Sequence, residues 1–472
     1  MLGFVKTAQH YPETKAPELR KADFDEIYQK FSAPAAKEQA ERCSQCGIPF
    51  CQIHCPLQNN IPDWLKLTAE GRLEEAYAIS SATNNFPEIC GRICPQDRLC
   101  EGSCVIEKDF GAVTIGSVEK YITETAFENG WVKSFAPARE SGFSVGIIGA
   151  GPAGLAAAEM LRRAGHEVHI YDRYDRVGGL LIYGIPSFKL EKHIVLRRTQ
   201  LLKDSGVQFH LGADIGGKIP FAEIRKKHSA VLVATGVYKS REIEIPNASL
   251  ENIFPALTYL TASNKKGLGD KVAEFDNGNL NAEGKTVVVI GGGDTAMDCV
   301  RTAIRQGAKS VTCLYRRDQV NMPGSAKEVK NAQEEGAKFL WLSAPKAFVG
   351  NGKVNQILVQ TMRLTTHDAA GRQSVQPVDG ETYPIPADMV ISALGFEPED
   401  MQAAFGEPSL KVSRHGTLSI NQDDFMTSLE GVFAAGDIVR GASLVVWAIK
   451  DGRDAAATID KYIQKSAERK AA

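Results

Sequence analysis

Residues 145–172, VGIIGAGPAGLAAAEMLRRAGHEVHIYD, constrain the fold of this chain more than any other stretch. Four strand-compatible residues run into Gly149, Ala150, Gly151, Pro152, Ala153 and Gly154, an apolar-faced helix follows, and a second strand closes on Asp172 and Arg173. This order predicts a strand–turn–helix–strand dinucleotide site. The first glycine makes the tight turn, the second lets the backbone approach a pyrophosphate, and the third lets helix and strand pack closely. The pyrophosphate belongs on the helix N-terminus, where free N–H groups and the helix dipole favour an anion. Asp172, at the end of the second strand, is placed to accept hydrogen bonds from ribose hydroxyls.

The pattern recurs over residues 285–317, KTVVVIGGGDTAMDCVRTAIRQGAKSVTCLYRR. Gly291, Gly293 and Ala296 take the glycine positions, and Asp294 and Thr295 open the helix. Where the first copy ends on an acid, this one ends on Arg316 and Arg317. Guanidinium groups there suit a ribose 2′-phosphate through charge-assisted bidentate contacts, so the expected nucleotide is NADPH. The alternative is a solvated basic turn.

Three shorter stretches belong with these. Residues 178–190, GGLLIYGIPSFKL, include Gly179 and Leu180 and predict a backbone laid against a flat ring, with an ordinary surface loop as the alternative. Residues 230–236 form a buried strand ending on Ala234, Thr235 and Gly236, and residues 387–396 repeat that pattern. Residues 431–437, GVFAAGD, bring Gly436 and Asp437 to a strand end before a helix at about 442–462. An acid there is placed to bind a cofactor's hydroxyls.

Eight of the ten cysteines lie between residues 43 and 104, as Cys43-x2-Cys46-x4-Cys51-x3-Cys55-Pro56, then Cys90-x3-Cys94-Pro95 and Cys100-x3-Cys104. In a reducing compartment that clustering argues for metal rather than disulfides. The Cys-Pro endings match the ferredoxin run, whose fourth cysteine ligates the other cluster of a pair. By that crossing, Cys43, Cys46 and Cys51 hold one cluster with Cys104, and Cys55, Cys94 and Cys100 hold a second. The second needs one more ligand, either Cys90 or a nearby oxygen. A pair of zinc sites is the alternative. Residues 62–69 and 72–83 between the two groups predict a helical hairpin with Trp64, Leu65, Leu73, Ala76 and Tyr77 inward.

A chain of 472 residues accommodates about three domains. Its net charge of −2 gives no reason to expect nucleic acid or an anionic membrane as partner. With no apolar run of membrane-spanning length and no signal peptide, the expected location is cytoplasmic.

Residues 149–154, 291–296 and 431–437 together resemble the pyridine-nucleotide-disulfide oxidoreductase superfold, in which an NAD(P) domain is inserted into an FAD domain. The resemblance implies FAD at the first site, NADPH at the second, and Asp437 against the flavin's ribityl chain. Cys299 and Cys313 are isolated, so the cysteine pair of the disulfide-reducing members is not matched. With CSQCGIPFCQIHCP, PEICGRICP and GGLLIYGIP added, the chain resembles the small (beta) subunits of NADPH-dependent glutamate synthases over essentially its whole length. The same module is similar to the N-terminal half of dihydropyrimidine dehydrogenase and to the flavin subunit of bifurcating NADH-dependent ferredoxin:NADP oxidoreductases.

From this resemblance follow two 4Fe-4S clusters, Lys189 as a basic flavin contact, and Glu119 as the odd ligand of the second cluster in preference to Cys90, because it matches a glutamine ligand in dihydropyrimidine dehydrogenase. The implied fold class is α/β, with two Rossmann-like domains, for FAD and for an inserted NADPH, after a mainly helical iron–sulfur domain. The division runs 1–141 for the iron–sulfur domain, 142–245 and 385–472 for the FAD domain, and 246–384 for the NADPH domain. The implied function is electron input, from NADPH to FAD and through the clusters to a glutamate synthase large (alpha) subunit in a hetero-oligomer. A hydride passes from nicotinamide to flavin without a protein acid or base, so no catalytic side chain is nominated. The rival readings are the flavin subunit of an NADPH:ferredoxin oxidoreductase or transhydrogenase, and a zinc-stabilised NADPH-binding module.

Overall fold

The computed structural model describes residues 3–367 and 373–471. Its first nucleotide unit is a five-stranded parallel sheet in the order Val432–Ala434, Ala230–Val233, Ser144–Ile148, Glu167–Asp172, Gln208–Leu211. The central strands are short apolar runs buried on both faces, as parallel strands covered by helices must be. Helix Pro152–Arg163 has its proline in the first turn, where the missing N–H costs nothing, and packs against the long C-terminal helix Val445–Ala471.

The second unit repeats this design in the order Ile253–Pro255, Met389–Ser392, Thr286–Ile290, Ser310–Leu314, Lys338–Leu340, again all parallel. Helix Asp294–Arg305 buries Ala296, Met297, Cys299, Val300 and Ala303 against that sheet. Ser343–Asn351, Lys353–His367 and Gln373–Pro386 form a three-stranded antiparallel sheet, with residues 368–372 outside the described ones.

The chain crosses between the units at a two-stranded ribbon, Lys239–Ser240 against Phe396–Glu397. This moves both ends of the inserted domain. Ile243 and Ile245, read as the end of the first FAD segment, pack on the second unit, and Met389–Ser392, read as part of the last segment, is a central strand of its sheet. A buried strand-plus-turn pattern does not say which of two similar sheets the strand joins, so residues 387–396 were open to either assignment.

The N-terminal region is helical, with Ala33–Glu41, Ile61–Ala69, Leu73–Thr83, Pro87–Ile93 and Ile115–Glu128 around Trp64, Leu65, Val118 and Ile122. Of the predicted hairpin face, Trp64, Leu65 and Ala76 are buried, while Leu73 and Tyr77 are half-buried. Leu57, Phe86 and Ile89 share a core with the first nucleotide unit, and Glu88 accepts two hydrogen bonds from Arg198 at 2.7 and 2.9 Å in that buried seam. Residues 7–32 form an arm reaching both nucleotide units. Ile27 N donates to the Phe188 carbonyl at 3.2 Å, and Arg20 donates to Glu334 at 2.8 Å. Among the described residues no helix is long and apolar enough to cross a membrane.

Candidate active site

A cavity of about 1030 Å³ opens where the first sheet's strands end, bounded by both nucleotide units and the helical domain. The carboxyl ends of parallel strands are where open α/β sheets bind ligands. Gly149, at φ +110°, turns the chain there, in a backbone conformation that a side chain would strain. Gly151 leaves open space where a Cβ would stand, so the start of helix Pro152–Arg163 is accessible to an anion.

Asp172 does more than await a ribose. Its Oδ2 accepts from Ala150 N at 2.6 Å and its Oδ1 from Tyr174 N at 2.8 Å, so it ties the glycine loop to the loop after the second strand. Burial pushes its carboxyl up despite those two donors. Beside it Arg173 donates to Glu399 at 2.8 and 2.9 Å, with its guanidinium between the rings of Tyr174 and Tyr238. The buried hydroxyl of Thr235 has no hydrogen-bond partner among the described residues and lies in the cavity wall. At the far side Asp437 opens a short helix, and burial raises its carboxyl to about 6. An accessible helix N-terminus, an orphaned hydroxyl and two acids at strand ends fit a bound dinucleotide.

Of the sequence-predicted residues, Gly149, Gly151, Pro152, Ala153, Asp172, Arg173, Leu180, Lys189, Ala234, Thr235, Gly236 and Asp437 line this cavity, together with Asp294 and Thr295 of the second loop. Ala150, Gly154, Gly179 and Gly436 belong to the same loops without lining it. Residues 178–190 are not a surface loop: Gly179 leads into the buried turn Leu180–Tyr183.

The second glycine loop keeps Gly291, Gly293 and Ala296 off the cavity wall. Gly291 turns at φ +144°, Asp294 accepts from Ser325 N at 2.9 Å, and Gly324 N donates to the Gly292 carbonyl at 2.9 Å, so residues 324–325 fold over the loop. Arg316 is exposed, and Arg317 donates to the Gln373 carbonyl at 2.9 Å. Both stand at the end of strand Ser310–Leu314, away from the shared cavity. The hydroxyl of Ser392, at the end of the neighbouring strand, is another buried group without a partner among the described residues.

Sequence reasoning missed Tyr238, Asp298 and Lys327, all in the cavity wall. Asp298 is buried on helix Asp294–Arg305 together with Arg301 and Arg305. Lys189 pairs with it: burial works against the ammonium, but Asp298 and Glu328 outweigh it and hold Lys189 charged.

The N-terminal cysteines surround two separate spaces. Cys43, Cys46, Cys51 and Cys104 line one, while Cys55, Cys94, Cys100, Cys90 and Glu119 line the other. The crossing pattern therefore matches how the chain groups its thiols. Burial pushes Cys51 up to about 12 and Cys55 up to about 11, so thiolates there require cations to balance them. Among the described residues no three His, Cys, Asp or Glu side chains converge as tightly as the ligands of one ion. Glu119 accepts from Asn59 at 3.3 Å and Asn84 at 3.2 Å, and burial raises its carboxyl to about 8. The thiol-lined spaces fit polynuclear clusters in donor type and number. Cys94 and Gln96 line both the second space and the large cavity.

Two parallel nucleotide sheets, one unit inserted in the other, and a helical domain with two thiol-lined spaces, one of which borders their shared cavity, define a pyridine-nucleotide oxidoreductase with an iron–sulfur domain. Residues 143–452 match the pyridine nucleotide-disulphide oxidoreductase family, and residues 20–131 match dihydropyrimidine dehydrogenase domain II, 4Fe-4S cluster. The small chain of glutamate synthase [NADPH] from Azospirillum brasilense is 64% identical over 469 residues, covering 99% of this chain and 97% of that protein. The Escherichia coli K12 small chain is 44% identical over 466 residues, covering 98% of each. This chain belongs to the glutamate synthase [NADPH] small-chain family. Mycobacterium tuberculosis FprA in complex with NADPH shares the nucleotide-binding fold, with a TM-score of 0.59 at 20% identity over 70% of this chain and 86% of that one.

Proposed function

We propose that this chain is the electron-input subunit of a glutamate synthase, taking electrons from NADPH and delivering them to a large subunit in the cytoplasm. The observation that carries this reading is Cys94, which lines both the large cavity and the second thiol cage, so the cage nearer the nucleotide sites abuts them directly. When bound, FAD accepts the two electrons of a hydride and the 4Fe-4S clusters pass electrons on singly.

The chain's own residues bind, orient and exclude water. The N-terminus of helix Pro152–Arg163 holds the FAD pyrophosphate, Asp172 and Asp437 hold its hydroxyls, and Thr235 supplies a donor that has no other partner among the described residues. Arg316 and Arg317 read the 2′-phosphate of NADPH, while Asp294 and Thr295 bring the second loop to the shared cavity. Cys43, Cys46, Cys51 and Cys104 hold one cluster, and Cys55, Cys94, Cys100 and Glu119 the other.

Around the first cage Ile48, Phe50, Ile53 and Val105 are exposed, at 64%, 46%, 55% and 55%. Such a patch marks a contact site, and we place the large subunit there.

The purified chain should oxidise NADPH with ferricyanide or tetrazolium dyes and make no glutamate from glutamine and 2-oxoglutarate. Adding the large subunit should couple NADPH oxidation to glutamate formation. Glutamate made by the chain alone, or a stably bound large subunit that gives no glutamine-dependent NADPH oxidation, would overturn the assignment. In the second case a ferredoxin reductase would take its place.

A further inference from the structure

The inserted unit is tied to the rest of the chain covalently only through the ribbon of Lys239–Ser240 and Phe396–Glu397. Its orientation over the cavity is therefore set by side-chain contacts, some with the N-terminal arm, as between Arg20 and Glu334, and others with one segment of the first nucleotide unit. Residues 178–190, whose Leu180 and Lys189 line the cavity, are gripped by the inserted unit at both ends.

At the first end, Asn264 donates to the Tyr183 carbonyl at 2.9 Å, and Arg176 donates to Asp270 at 2.7 and 2.8 Å. At the second, Lys189 Nζ donates to Asp298 Oδ1 at 2.8 Å, with Glu328 at 3.8 Å. Next to Lys189, the fully buried Phe188 ring lies against the guanidinium groups of Arg301 and Arg305, 4.4 and 4.0 Å from its centre. Those arginines are themselves fixed by the buried carboxylate of Glu335.

A buried ion pair is a poor means of adding stability, because desolvation offsets the attraction and an apolar pair of equal volume does as well or better. Its strength is directional. It penalises any placement that separates the charges, since each would be left buried and unpaired. Both members of the Lys189–Asp298 pair stand in the wall of the cavity shared by the two nucleotide loops. A displacement of about 1 Å in reacting groups can cost on the order of a hundredfold in rate.

We infer that Asp298 is a positioning residue: through Lys189 it registers the inserted nucleotide unit against the flavin-facing segment 178–190, and so sets the approach of nicotinamide to flavin. The inference rests on the proposed placement of FAD on the first glycine loop and NADPH on the second.

The test compares the full-length chain with Asp298→Asn and Asp298→Glu in two measurements. In hydrogen–deuterium exchange without nucleotide, the 178–190 peptide of Asp298→Asn should exchange at least fivefold faster, with helix Asp294–Arg305 unchanged. In rapid mixing, the limiting rate of flavin bleaching by saturating NADPH, taken per bound flavin, should fall at least tenfold while the Kd for NADP⁺ stays within twofold. Asp298→Glu should recover most of both effects. Should Asp298→Asn fail to hold flavin, Phe188→Leu carries the same test and should loosen the same peptide and slow the same step.

Exchange within twofold of the parent, or a weakened NADP⁺ Kd with an unchanged limiting rate, would overturn the inference, the latter by making Asp298 a direct nucleotide contact. A parent chain whose flavin NADPH does not bleach would instead overturn the functional reading, which separates the two failures.

Discussion

Asp172 Oδ2 accepts a hydrogen bond from the backbone N–H of Ala150 at 2.6 Å, joining the acid that ends the second strand to the turn that starts the first helix. The carboxylate therefore shapes the glycine loop before any cofactor arrives. Asp172→Ala removes that bond and the one from Tyr174 N, leaving two loop N–H groups without their acceptor. FAD should bind at least about tenfold more weakly, equivalent to about 1.4 kcal/mol or more. Flavin absorbance per chain after gel filtration reads this, and iron content, set by the cysteines and Glu119 rather than by this loop, should not change.

Arg316 and Arg317 stand just past the end of strand Ser310–Leu314, after Tyr315, which takes the position of Asp172 because Gly291 N donates to the Leu314 carbonyl as Gly149 N does to the Tyr171 carbonyl. Replacing both with glutamine removes charge-assisted contacts worth roughly 1.5–3 kcal/mol each. NADPH should weaken by about tenfold or more and NADH should change little. Equal losses for the two nucleotides in steady-state KM would show that these arginines do not read the 2′-phosphate.

The glycine loops, both parallel sheets and the grouping of the cysteines were legible because each follows from local chemistry. A tight turn needs Gly149, a helix start accommodates Pro152, and the crossing of Cys104 to the first thiol group follows the ferredoxin run. Long-range pairing was not legible. Nothing in residues 387–396 says that Met389–Ser392 joins the inserted sheet rather than the first, because its partner strand Thr286–Ile290 and the alternative strand Ala230–Val233 both lie far upstream in the sequence. The cavity wall was read through its glycines and acids but not through Tyr238 or Lys327, whose side chains acquire meaning only once three domains meet. The contacts of the arm of residues 7–32 with Phe188 and Glu334 depend on that same meeting.

Iron analysis tests the two cages. Anaerobic reconstitution should give about eight iron and eight sulfide per chain, at about four of each per cluster. Cys90 and Glu119 both face the second cage, and Asn59 and Asn84 hold the Glu119 carboxylate in place. Glu119→Ala should lose about half the iron and Cys90→Ala should keep it. The reverse pattern would assign the fourth ligand to the cysteine.

Asp437 offers a case in which binding and stability pull apart. Burial raises its carboxyl from 3.8 to about 6 in the folded chain. A carboxyl whose folded pKa exceeds its unfolded one favours folding at low pH, and that advantage is lost as the pH climbs from about 4 to about 6. Above that window the folded, flavin-free chain holds an ionised carboxylate at a cost of up to about 3 kcal/mol. Asp437→Asn removes the ionisation, so without flavin it should melt higher than the parent at pH 7.5, and the gap should shrink by about half at pH 5. With FAD added the order should reverse, because the amide replaces a charged acceptor with a neutral one against the cofactor's hydroxyls. Thermal melts at the two pH values, each with and without excess FAD, read all four corners. A flavin-free variant no more stable than the parent at pH 7.5 would show that the Asp437 carboxyl is not held at a cost in this fold.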